Sequence, residues 1–159
     1  MGSTDAFYLD KSDTASWKAL NALSLKVSAA LKAAGLTRRT TELVNLRISQ
    51  INGCAYCLDM HTKMALEAGE TIQRLGVLPA WRETTLFSDE EMAALAIAEM
   101  VTVLPHEEER LAELAGVRNI LTDAQYSALT WAAISINAFN RVSIISRHAI
   151  TPDPEPEQA

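Results

Sequence analysis

Gly53-Cys54-Ala55-Tyr56-Cys57-Leu58-Asp59-Met60-His61 contains both cysteines of the chain, three residues apart, and a histidine four residues after the second. Leu58, Met60, Met64, Ala65, Leu66 and Ala68 are good helix formers, and neither glycine nor proline intervenes before Gly69. At ~100° per residue a helix carries Cys54, Cys57 and His61 within an arc of about 60°, so two sulfurs and an imidazole share one face. Gly53 suits a left-handed helix end, from which the chain re-enters helix at once. Cys54 then stands at or near a helix N-terminus, where the dipole favours a thiolate.

Upstream of this stretch, Leu43, Val44, Leu46, Ile48 and Ile51 predict a helix from Thr40 or Thr41 to Asn52, with Glu42 in its first turn. Before that, Trp17, Leu20, Leu23, Val27, Ala30, Leu31 and Ala34 recur at three- and four-residue steps, an amphipathic helix over 14–34 that Gly35 stops. Downstream, a short helix is expected over 70–75. Ser88-Asp89-Glu90-Glu91 has capping-box spacing and opens a helix that Pro105 ends, and a short acidic helix follows over 107–115. Thr122-Asp123-Ala124-Gln125 repeats the capping-box spacing and opens the last helix. No period-two alternation, internal repeat or phosphate-cradling glycine loop is present. The fold class is therefore all-α: one helical domain over 14–150, preceded by an arm over 1–13 in which Phe7, Tyr8 and Leu9 are available for docking. An acidic, proline-rich tail over 151–159 is expected to be disordered.

The last helix carries Leu129, Trp131, Ala132, Ile134, Ile136, Phe139, Val142, Ile144 and Ile145, apolar on nearly every side. A small domain cannot bury such a helix alone, so residues 124–147 are expected to form part of a subunit interface. With 159 residues, 48% of them hydrophobic, the chain suits one sizeable core. Its 14 basic against 20 acidic residues, a net charge of −6, argue against nucleic acid as a partner. No apolar run approaches the ~18 residues that span a bilayer, and the N-terminal residues lack signal-peptide layout, so no membrane partner and a cytoplasmic location are expected. In a reducing compartment a Cys-x-x-Cys pair points to redox chemistry or metal binding rather than to a structural staple.

A thiol with its ordinary pKa of ~8.5 is a few per cent thiolate at neutral pH, and an adjacent imidazole lowers that value. His61, one turn after Cys57, is placed to do so. The same residues supply three zinc ligands, but no second Cys-x-x-Cys offers a fourth and His106 and His148 are remote in sequence, so neither a metal nor a cofactor is expected. Glu42 has two readings, a carboxylate complementing a helix dipole or a base passing protons through His61, and spacing leaves both open. Tyr56 is expected to pack, Arg47 to pair with an acid, His106 to be solvated and His148 to cap the last helix. Met60 and Met64 are expected in the core.

Taken together, Glu42, Cys54-Ala-Tyr-Cys57 and His61 resemble the signature of AhpD-like alkylhydroperoxidases, within the carboxymuconolactone decarboxylase superfamily. The similarity extends through Leu43-Val-Asn-Leu-Arg47-Ile-Ser-Gln-Ile-Asn-Gly53, Met60-His61-Thr62, Ala68-Gly69-Glu70, Ala80-Trp81-Arg82 and Ile136-Asn137-Ala-Phe-Asn140-Arg141. It implies an all-helical, oligomeric protein, a trimer or hexamer, that reduces organic hydroperoxides or hydrogen peroxide. Residue by residue, it implies that Cys57 is the peroxidatic thiolate and becomes a sulfenic acid. Cys54 would then resolve it, supplying a proton and closing a Cys54–Cys57 disulfide, with His61 and Glu42 as proton relay. A thiol or dithiol reductant would recycle the disulfide. One departure stands out: Tyr56 lies between the cysteines where the best-studied members have histidine. Two other function classes use the same framework, a cofactor-free lyase acting on a lactone, which needs no cysteine pair, and a thiol sensor that forms the disulfide without turnover.

Overall fold

A computed structural model describes residues 6–155. The chain is 78% helical and has no strand among the described residues. Its α-helices are α1 (Leu9–Ser12), α2 (Thr14–Ala33), α3 (Arg38–Asn52), α4 (Ala55–Glu67), α5 (Ile72–Val77), α6 (Asp89–Val103), α7 (Glu107–Ile120) and α8 (Asp123–Ser146). A 3-10 segment, Leu78–Glu83, links α5 to the loop before α6.

Local chemistry accounts for most boundaries. Thr37 caps α3 by accepting the Thr40 amide, so this helix opens two or three residues earlier than its apolar periodicity predicts. Glu42 consequently lies beyond the first turn, and the dipole reading of its carboxylate does not apply. Ser88 and Glu91, and likewise Thr122 and Gln125, form reciprocal capping boxes. Helix α7 runs on through Gly116 to Ile120, longer than the acidic stretch alone suggests, because Val117 and Leu121 are buried and hold its last turn against the core.

Helix α3 lies at the centre, packed against α4, α6 and α8, while α2 lies along α8 and α7 along α6. Leu43, Val44 and Ile48 of α3 meet a core that includes Leu95 and Ile97 of α6, Leu129 of α8, and Leu78 and Trp81 of the 3-10 segment. Each such aliphatic side chain, almost wholly removed from water, contributes about 1.5–3 kcal/mol. Buried alanines at 93, 94, 96 and 98 line α6; their small side chains let neighbouring helices approach closely. Between the central helices runs a polar network. Asn52 donates to Asn137 Oδ1 at 2.9 Å and to Asn140 Oδ1 at 3.0 Å, and Asn140 donates to Ser49 Oγ at 3.1 Å. Asn137 in turn donates to Thr102 Oγ1 at 2.9 Å, which joins α3, α6 and α8.

Helix α8 departs from the expectation of burial on nearly every side. Ala128, Leu129, Ala132, Ala133 and Ile136 are buried, whereas Trp131, Ile134, Ile144 and Ile145 are exposed. The last helix therefore has one face in the core and an apolar face outside it. Residues 151–155 have no secondary structure; the remainder of the tail expectation, and the first five residues of the arm, lie outside the described residues. No helix among the described residues is long and apolar enough to cross a membrane.

Candidate active site

Gly53 ends α3 in the left-handed region, at φ +67°, and the Cys54 amide donates back to Ser49 O at 3.0 Å. Because this turn uses a single glycine, α4 begins immediately and Cys54 becomes its N-cap, the sulfur accepting from the Cys57 amide at 3.3 Å. The two cysteines are joined as a disulfide with Cα atoms 5.3 Å apart. Both are buried, and Cys57 lines a cleft whose wall does not include Cys54.

One turn on, His61 reaches from α4 towards α3. Its Nδ1 donates to Glu42 Oε2 across 2.6 Å, with the imidazole 6% and the carboxylate residue 3% exposed. Asn45 donates more weakly to the same Oε2 at 3.5 Å, and the Arg38 guanidinium stands 3.9 Å from Oε1. A carboxylate on Nδ1 leaves Nε2 as the lone-pair nitrogen of the neutral ring. That Nε2 is buried and has no hydrogen-bond partner among the described residues. His61 and Glu42 line the same cleft as Cys57. The four residues singled out from the sequence are thus gathered in one place, Glu42 by the packing of α3 on α4 and the rest by α4 itself.

The cleft has a volume of about 1130 Å³. Val27, Leu31, Leu36 and Ile136 form its buried apolar wall, and Trp17 and Phe139, edge to face at 5.5 Å, lie further along it. Met60 and Met64 line it as well, so they are cleft residues and not core; helical spacing cannot tell a cavity wall from a core wall. Tyr56 packs as expected, edge-on against His148 at 5.2 Å. His148 does more than end α8, since its Nε2 also bonds Asp10 Oδ1 at 3.1 Å. Arg47 pairs with an acid, Glu99, at 2.8 Å, and His106 is solvent-exposed. Among the described residues no three histidine, cysteine or carboxylate side chains are grouped to hold a metal ion.

Away from the cleft, largely buried ion-pair networks whose pairings the sequence reading did not assign hold other parts of the fold. Burial would raise the Glu99 carboxyl, but hydrogen bonds from Trp81 Nε1 at 2.9 Å and from Arg47, with the Arg47 and Arg82 charges, hold it below the usual carboxylate range. Glu91 is treated alike by its hydrogen bond from Arg74 and by the Ser88 amide, which together outweigh burial. Arg74 is buried and also binds Glu70 and the Leu86 carbonyl. A buried arginine has no local sequence signal, because its acids lie four and seventeen residues away.

Fold and site together define an all-helical protein with a Cys-x-x-Cys disulfide and a histidine–carboxylate pair that shares one cleft with Cys57. The chain belongs to the carboxymuconolactone decarboxylase family, whose profile matches residues 18–100, and within it is AhpD-like. It is 42% identical over 113 residues to the uncharacterized protein YdfG of Bacillus subtilis strain 168, covering 71% of this chain and 77% of that one. Over 63 residues it is 38% identical to the uncharacterized protein YnjA of Escherichia coli K12, covering 40% of this chain and 35% of YnjA. In three dimensions it is similar to a crystal structure from Agrobacterium tumefaciens, a protein of unknown function put forward as the antioxidant defence protein AhpD. The TM-score is 0.82 at 28% identity, over 93% of this chain and 99% of that one.

Proposed function

We propose that the protein is a thiol-dependent peroxidase that reduces hydroperoxides through a Cys54–Cys57 dithiol/disulfide couple. The observation that carries this reading is the meeting, at one cleft, of Cys57 and a buried imidazole whose Nδ1 is held by a carboxylate and whose Nε2 is unpartnered. In the reduced protein His61 takes the Cys57 proton, and the resulting thiolate attacks the terminal peroxide oxygen. The O–O bond breaks, Cys57 becomes a sulfenic acid, and the departing alkoxide takes the Cys54 thiol proton to leave as alcohol, which makes Cys54 a thiolate. Cys54, whose position at the α4 N-terminus favours its thiolate, attacks the Cys57 sulfur, and hydroxide leaves as water once protonated by His61. The sum is dithiol plus hydroperoxide giving disulfide, alcohol and water. Glu42 keeps Nδ1 protonated, so Nε2 does the exchanging.

The cleft supports assigning the two cysteines these separate roles, since Cys57 lines it and Cys54 does not. Its volume and apolar wall favour organic hydroperoxides over hydrogen peroxide, which needs no such space. A cytoplasmic thiol or dithiol reductant completes the cycle. The exposed apolar face of α8 supports assembly of several copies of the chain.

The test is single turnover with cumene hydroperoxide. Cys57→Ser is expected to abolish peroxide consumption, whereas Cys54→Ser consumes one equivalent and leaves a sulfenic acid that dimedone traps. Equal residual activity in the two variants counts against the assigned roles. A wild-type protein that forms the disulfide once, but consumes no further peroxide with dithiothreitol present, is a sensor and not an enzyme.

A further inference from the structure

The dithiol chemistry makes no use of the N-terminal segment, yet Tyr8 and Asp10 line the same cleft as Cys57. A helix of four residues has no stability of its own, and α1 contains no buried residue. Its position therefore depends on what it grips, and it grips the end of α8. The Leu9 amide donates to the buried Ser146 Oγ at 3.0 Å, Asp10 Oδ1 bonds His148 Nε2 at 3.1 Å, and the Tyr8 ring stacks on the His148 ring at 5.8 Å. The other ring nitrogen of His148 meets Ser143 Oγ at 3.2 Å, and its ring meets Tyr56 edge-on. One imidazole thus ties together the N-terminal segment, the end of α8 and Tyr56, one of the two residues between the cysteines.

These contacts hold the segment without locking it. The Asp10–His148 pair retains some exposure, 18% and 16% of the side chains, so water competes for both partners. Releasing the segment breaks hydrogen bonds and an aromatic stack but takes no side chain of α1 out of a core, since α1 buries none, the kind of local opening that precedes global unfolding by a wide margin.

We propose that Asp10 and His148 are specificity-determining residues of the cleft: their hydrogen bond is the clasp of a strap, residues 8–12, that shields Cys57 from bulky reactants and leaves small ones free to reach it. This inference rests on the proposed function only in taking Cys57 as the reactive group that the cleft serves. Small peroxides enter with the strap in place. Larger hydroperoxides, and any folded reductant that must touch the sulfur, react in the fraction of molecules whose clasp is open.

The experiment labels the single thiol of the reduced full-length Cys54→Ser protein at neutral pH, with iodoacetamide as the small probe and fluorescein maleimide as the bulky one, read by mass spectrometry. Adding Asp10→Ala is expected to speed maleimide labelling about tenfold, the effect of losing one hydrogen bond, while iodoacetamide labelling changes less than about twofold. His148→Ala should act in the same direction, and Asp10→Glu, which keeps a carboxylate, should restore most of the selectivity. A bulky-to-small rate ratio that stays at the parent value in Asp10→Ala overturns the strap, and so does equal acceleration of both probes, which reports general loosening. No peroxide enters the measurement. A protein that labels as expected but never reduces peroxide therefore loses the peroxidase reading and keeps the strap.

Discussion

His61 Nδ1 and Glu42 Oε2 stand 2.6 Å apart, nineteen residues separated in sequence and both buried. A carboxylate there would stabilise the imidazolium that the proposed mechanism forms on His61 when it takes the thiol proton. Glu42→Gln keeps the shape and removes the charge. Alkylation of the reduced protein followed against pH should show the Cys57 midpoint rising by about one unit, so that the rate at neutral pH falls about tenfold, and His61→Ala should do at least as much. Superimposable profiles would remove the pair from the chemistry.

Asn140 of α8 is wholly buried and ties that helix to α3 at two points, accepting from Asn52 and donating to Ser49. Replacing it with alanine removes both of these buried bonds and leaves a small void, with Asn52 still bonded to Asn137 and Ser49 to the Asn45 carbonyl. Equilibrium urea unfolding of Asn140→Ala should show a loss of about 2–4 kcal/mol, with disulfide formation still possible in what remains folded. A loss below about 0.5 kcal/mol would mean that the network contributes nothing to α3–α8 packing.

Glu99 offers a pH test. Its folded carboxyl lies below the ordinary 4.5, so the native state binds fewer protons there than the unfolded chain. Its contribution is complete above the unfolded value and disappears as pH falls through the folded one. Glu99→Gln should therefore be less stable than wild type near neutrality, with the gap between the two closing in acid below about pH 4.5. Curves that stay parallel down to pH 2 would contradict the assignment.

The outward face of α8 carries Trp131, Ile134 and Ile145 at helical spacing. If copies of the chain meet there, Trp131→Glu with Ile134→Glu should lower the mass measured by light scattering at micromolar concentration and leave far-ultraviolet circular dichroism unchanged. A wild-type protein that is monomeric under those conditions rules the interface out.

Much of the molecule follows from rules that act over one or two helical turns. The one-turn spacing of Cys57 and His61 on α4, the break at Gly53 that leaves Cys54 at the helix start, and the capping boxes at Ser88 and Thr122 depend on backbone periodicity and on hydrogen bonds reaching a few residues, so the linear sequence determines them. Packing of one helix on another follows no such short rule. It brought Glu42 to His61, moved Met60 and Met64 from core to cleft wall, and turned His148 towards Asp10, 138 residues away. The relation of the two cysteines to the cleft has the same origin: local geometry makes the sulfurs neighbours, while the surrounding helices decide that Cys57 and not Cys54 lines the cleft.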